Sequence, residues 1–469
     1  VYCGRAFYEI QDIHYTFEEF PDEIQLSNTS QIAKRQRLYL YVPEDSQESF
    51  DIVTYNETDT ENLKRHFKHR LFMNPHDDLA LQIYSNMTQS DRIETLRKGF
   101  EHVPILTNWH RAYQDIMELE NPDYNLIAEY EGYLEASPEV PAMKYLLGRV
   151  TPDPAAAEKL FLAASEGATP FSLGYHAIAY HALCTDQFEK AHKYSTLATK
   201  IEPDNNILIN IRLQSLVATG RYDEAARLAE TFVENYPFSS SDNSAYCILL
   251  TMTKDPSPVE AVLEKIKTAV PDTPSEDLEL WRNYLTPSSY YAKGDYAQYA
   301  TAMEQLESYE AAFITAILKN QPTSAAEILR EGLPENTTEY LLVYCIAKQS
   351  GDDKLADDML QSAIGLLNEQ GKDMRQAARI LQHSQLGVSE SELSQLMLLP
   401  NLKRVFCTAL GMAHPKTSEV AFKTARSYNF DPSFPQHLIQ RWTTPKPVAQ
   451  PVVTESASEP ELVIAESEL

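Results

Sequence analysis

Residues able to do acid–base, nucleophilic or metal chemistry occur along this chain, but their spacing seldom brings three together. Glu189 and His192 stand three residues apart. On a helix that spacing puts a carboxylate and an imidazole on one face, as an acid–base or metal-binding pair needs. Nothing else converges on them, so they read as a solvated helix face rather than a catalytic centre. His66 and His69 repeat the spacing inside Lys64-Arg65-His66-Phe67-Lys68-His69-Arg70, the one dense basic cluster of the chain. They lack a third ligand at metal spacing. The cluster has two readings: a site for an anion or acidic partner, and a solvated face balancing Asp59 and Glu61. The second is preferred.

Enzyme signatures are missing as well. The chain has no HExxH and no GxSxG. Gly365 to Lys372 superficially matches a phosphate loop, yet five residues separate Gly365 from Gly371 and Asp373 replaces the required Ser or Thr. That stretch reads as the C-terminus of a helix. Cys3, Cys184, Cys247, Cys345 and Cys407 are scattered, odd in number and free of CxxC spacing, so neither a disulfide framework nor a zinc site is expected. Cys184 and Cys247 fall in helical patterns and read as small core residues in a reducing compartment. No catalytic residue, metal or cofactor is assigned.

A formal net charge of −28 over 469 residues argues against nucleic acid and anionic membranes as general partners and favours basic peptides or protein patches. Glycine, at 14 of 469, is well below the usual ~7%, which suits a mainly helical chain. No stretch approaches the ~18 uncharged apolar residues of a membrane span. The sequence begins with Val1, so membrane association is expected only through a segment upstream of it.

The elements that would position any site repeat. Phe188, Ala191, Ala198 and Pro203 are answered 34 residues later by Tyr222, Ala225, Phe232 and Pro237. Four columns at i, i+3, i+4 and i+7 run through four units: Ala157, Leu160, Phe161, Ala164; Ala191, Tyr194, Ser195, Ala198; Ala225, Leu228, Ala229, Phe232; Val259, Val262, Leu263, Ile266. That spacing predicts one buried helical stripe per unit, and only Ser195 interrupts its apolar character. Prolines at 104, 138, 170, 203, 237 and 271 punctuate the helices, and the breaks Thr185-Asp186-Gln187 and Thr219-Gly220-Arg221 split each unit into helix, turn, helix. One such unit cannot bury its own apolar face, so units must stack.

Gly220-Arg221-Tyr222-Asp223-Glu224-Ala225-Ala226, followed by Phe232 and Pro237, resembles the second half of a tetratricopeptide repeat. The clean match covers 175–237, and units at 138–171 and 240–273 keep phase, with Pro154 and Pro256 where the turn has its aromatic residue. The resemblance implies a mainly α fold, an α-solenoid of stacked hairpins winding as a right-handed superhelix. It also implies that the first helix of each unit lines a concave groove that binds a protein or peptide. His176, Tyr180, Asn210, Gln214 and Ser244 map there, beside Leu173, Ala177, Ile207, Ile211, Ser241, Ala245 and Ile248. The Lys, Arg and Asn clamp for a C-terminal carboxylate in the family's chaperone-tail binders is absent, its places holding His176, Tyr180, Ile211, Ser241 and Ala245.

Three regions are expected. Residues 1–70 form a small β-containing region, with a hairpin of Arg37 to Val42 and Ser49 to Tyr55, either a cap docked on the first helices or the end of a truncated domain. Residues 71–442 form the solenoid, clearest over 138–273, with Phe434 to Trp442 as a last capping turn. Residues 443–469 form a disordered, acidic, proline-rich tail. The expected role is that of a cytoplasmic, non-catalytic scaffold. The alternative is an accessory region of a larger enzyme or membrane-anchored protein whose functional part lies upstream of Val1.

Overall fold

The computed structural model describes residues 92–101, 105–235, 293–331, 336–369, 372–383, 387–428 and 436–444, save 204 and 307, with isolated residues between 64 and 85 and between 264 and 291. The expected N-terminal hairpin, the acidic tail, Ser244, Cys3 and Cys247 lie outside the described residues, as does nearly all of the unit at 240–273.

The described residues form nineteen α-helices and one 3₁₀ turn, with no strand among them. The first group comprises α1 (Arg92–Lys98), α2 (Thr107–Glu120), α3 (Leu126–Ala136), α4 (Pro141–Val150), α5 (Pro154–Ser165), α6 (Ser172–Cys184), α7 (Phe188–Ile201), α8 (Asn206–Ala218) and α9 (Tyr222–Asn235). The second comprises α10 (Tyr296–Glu304), α11 (Tyr309–Leu318), α12 (Pro322–Glu331), α13 (Thr337–Ser350), α14 (Asp353–Glu369) and α15 (Lys372–His383). It continues with α16 (Glu390–Ser394), α17 (Pro400–Ala413), α18 (Ser418–Ser427) and α19 (Gln436–Thr443).

The ends of these helices follow from local chemistry. Asn125, Asp153, Asn205, Asp295, Ser308, Asn336 and Ser389 turn a side-chain oxygen onto free backbone N–H groups at N-termini. Pro141, Pro154 and Pro400 stand in the first turn, where no N–H is required. Gly351 ends α13 at φ 77°, a left-handed conformation that glycine adopts without a Cβ clash.

Neighbours in sequence are neighbours in space: α3 packs on α4, α4 on α5, and so on through α9, and α10 to α15 follow the same order. Alternate helices also touch, α2 with α4, α6 with α8 and α11 with α13. The helical stripe read from sequence is the buried one. Ala157, Phe161, Ala164, Ala191, Ala198, Ala225 and Ala229 are buried. Ser195, the polar exception, is buried too, and its hydroxyl lies 3.0 Å from that of Ser215 on α8. A hydroxyl is tolerated there because a second one faces it.

Two large apolar cores result. One gathers residues from Phe67 to Ile178 and the other residues from Phe313 to Ile439, and a small cluster of Ala179, Ala182, Leu183, Ala191 and Ile211 continues the first. A half-buried acid stands beside Tyr340 of the second core. Glu339, in the first turn of α13, has a buried, unpartnered Oε2. Burial, with Glu310 on α11 adding repulsion, pushes its carboxyl up to about 7. The folded state therefore holds this proton more tightly than the unfolded chain, where Glu titrates near its ordinary value. Stability contributed at low pH should be lost as pH rises from about 4.5 to about 7. Thermal denaturation of Glu339→Gln should show a flatter pH profile over that window and a higher Tm than the parent at pH 8.

Candidate functional site

The side chains expected in the groove fall into two pairs on two helices that touch. His176 and Tyr180, one turn apart on α6, stack with ring centroids 6.4 Å apart. Asn210 and Gln214 repeat that spacing on α8, and the Gln214 amide donates to Asn210 Oδ1 at 3.3 Å. All four are partly buried, whereas Ile211 beside them belongs to the core. Burial, with Arg111 of α2 nearby, holds the His176 imidazole down at about 4, so it is neutral near pH 7, and its Nε2 is buried without a partner. A neutral imidazole, a phenol and two amides offer donors and acceptors without a fixed charge.

Part of this face meets the chain's own C-terminal half. Leu399, just before α17, packs on the cluster of Ala179, Leu183 and Ile211, alongside Tyr180. Asp373 at the start of α15 lies within electrostatic reach of Tyr180 and His181. Arg375 donates to the Glu118 carbonyl of α2 at 2.9 Å. These contacts join the two halves through one leucine and several polar groups.

Their centre is Lys403, whose side chain is 0% exposed. Nζ donates to the Cys184 carbonyl at 2.5 Å, to the Ser394 carbonyl at 3.0 Å and to Asp186 Oδ1 at 3.5 Å. Tyr428 of the turn after α18 donates its hydroxyl to both oxygens of Asp186, each at 2.9 Å, and its ring lies 5.9 Å from Nζ. Asp186 reaches this position from the α6–α7 turn at φ 63°, a left-handed conformation that Asp tolerates better than most residues. Burial pushes the Asp186 carboxyl up and the Lys403 ammonium down, and each charge opposes the other's shift. An ammonium has three protons, and three acceptors surround it here. Lys403 is thus committed to holding structure and has no free donor for a substrate. Burial also lifts the Cys184 and Cys407 thiols to about 12, far from thiolate reactivity.

The remaining chemical candidates stay apart. Glu189 pairs with Arg221 at 3.1 Å, and His192 has a buried, unpartnered Nδ1. A cleft of about 460 Å³ beside the same turn is lined by Asp186, Phe188, Glu189, Lys190 and Thr219, a mixed set that assembles no nucleophile with its base. Among the described residues no group of three His, Cys, Asp or Glu side chains is placed to hold a metal, and no helix is long and apolar enough to cross a membrane. His66 and His69 lie outside the described residues.

Sequence reasoning passed over Lys403, Asp186 and Tyr428, although one signal was available. Lys403-Arg404 sits inside the apolar helical pattern Leu402 to Leu410, and both cations are buried. Two consecutive cations within an apolar stripe require partners from elsewhere in the fold. In comparisons with known proteins, no protein-family model and no curated protein matches this chain.

Proposed function

We propose that this chain is an α-solenoid of the tetratricopeptide kind, acting as a non-catalytic scaffold that holds an extended, basic segment of a partner protein. The observation that carries the reading is the contact of α6 with α8, which sets His176 and Tyr180 one 34-residue repeat from Asn210 and Gln214. Successive first helices then present a ladder of polar side chains along one face. Amides spaced along such a ladder can pair with a peptide backbone, while apolar neighbours pocket alternate side chains. The preference for a basic partner comes from the net charge of −28, which attracts cationic segments and repels acidic ones.

The test uses the full chain on an array of extended peptides spanning net charges from acidic to basic. Lys- and Arg-rich peptides should be retained, and binding should weaken as salt is raised. Replacing both Asn210 and Gln214 by Ala should weaken retention by about ten-fold, the equivalent of ~1.4 kcal/mol, with helix content unchanged. Retention that ignores peptide charge, or survives the double substitution, would reject this reading.

A further inference from the structure

We infer that the chain is a self-closing clasp, in which α15 and Leu399 before α17 rest against α2 and α6 and Lys403 locks them there. The occupant of the face is thus a named part of the same molecule. The inference rests on the proposed groove only in saying which partner closure competes with.

Four observations converge. Leu399 packs on the small cluster of Ala179, Ala182, Leu183, Ala191 and Ile211, against which Tyr180 also packs. Arg375 grips a main-chain carbonyl of α2, 257 residues away in sequence. Lys403 of α17 and Tyr428 at the end of α18 converge on Asp186 from 217 and 242 residues away. The two large cores nevertheless remain distinct, one ending at Ile178 and the other starting at Phe313. A junction made of one ion pair, a tyrosine–carboxylate bond, carbonyl contacts and one leucine can part without opening either large core, as polar contacts between domains commonly do. A buried ion pair suits such a lock, because it adds little to net stability yet fixes one geometry over others. Closure brings Asp373 within electrostatic reach of Tyr180, so a partner that uses Tyr180 must compete with the covering segment.

The cysteines supply an internal readout. Cys184, whose carbonyl receives Lys403, and Cys345, in the middle of α13, are both fully buried. Pulsed alkylation of the full chain with iodoacetamide, mapped by mass spectrometry, should label both slowly in the parent. In Lys403→Met, Cys184 should react at least about ten-fold faster while Cys345 stays protected, the pattern of local rather than global opening. Loss of the lysine charge raises the thiol pKa further, so faster labelling cannot come from thiol acidity. Tyr428→Phe, which removes only one hydroxyl from Asp186, should shift Cys184 the same way by a smaller factor, and it carries the test if Lys403→Met does not fold. Unchanged Cys184 labelling in folded variants would overturn the clasp, and so would equal acceleration at Cys345. The readout needs no partner, so the clasp can fail while the scaffold reading stands, and the reverse.

Discussion

Gly174→Ala should destabilise the protein by about 2 kcal/mol, whereas Gly132→Ala should stabilise it by about 0.5–1 kcal/mol. Both glycines lie inside helices, Gly174 in α6 and Gly132 in α3, so both gain helix propensity from a methyl group. What differs is the space around them. A Cβ on Gly174 would stand 2.3 Å from Ser165 Oγ and 2.5 Å from the Phe161 carbonyl oxygen, whereas one on Gly132 meets nothing within 4 Å. Ser165 could rotate, although it would give up its 2.7 Å bond to the Phe171 carbonyl. The Phe161 carbonyl belongs to the backbone of α5 and can yield only if α5 and α6 separate. Overpacking of this kind costs about 1–3 kcal/mol, and a backbone obstacle places it at the upper end or beyond, enough to reverse the ~1 kcal/mol propensity gain. Urea unfolding followed by far-ultraviolet circular dichroism would show the opposite shifts. Equal stabilisation by both substitutions would mean that α5 and α6 are not held this close.

That close approach also marks where sequence was informative. The 34-residue spacing and the small residues Ala157, Ala164, Ala191, Ala198, Ala225 and Ala229 announce one buried stripe per unit, because small side chains at helical spacing let a second helix come near. Helix ends were legible for the same local reason, since Asp153 before Pro154 and Gly351 after Ser350 write caps into the chain itself. Periodicity also placed His176, Tyr180, Asn210 and Gln214 at equivalent positions, and the structure sets them on two touching helices. It could not place Leu399, Asp373 or Arg375 against the first group of helices. Contacts made across more than two hundred residues leave no periodic trace in one sequence, and the turn residue Asp186 looks like any polar turn until Lys403 and Tyr428 arrive.

Breaking that meeting point should have the largest effect of any single polar change. Lys403→Ala is expected to cost about 3–5 kcal/mol of the closed, folded state, the range for removing one partner of a buried ion pair. Three acceptors lose their donor at once, the carbonyls of Cys184 and Ser394 and the Asp186 carboxylate, and only Asp186 keeps a replacement in the Tyr428 hydroxyl. Asp186→Asn should cost less, because Asn also tolerates a positive φ and still accepts from Tyr428. It leaves the lysine charge unopposed, however, which depresses the Lys403 pKa further below its ordinary value. A lysine depressed in the folded state binds its proton less tightly there than in the unfolded chain, so stability rises with pH between the folded pKa and the unfolded one. Asp186→Asn should therefore recover part of its loss as pH rises toward the ordinary lysine value of 10.5, and Lys403→Ala should not. If the two residues act on each other, the double variant will lose less than the sum of the single losses, with a coupling of about 0.5–3 kcal/mol. Strict additivity in that cycle would show that Asp186 and Lys403 do not share the contact, and the lock would then reside in the two carbonyls alone.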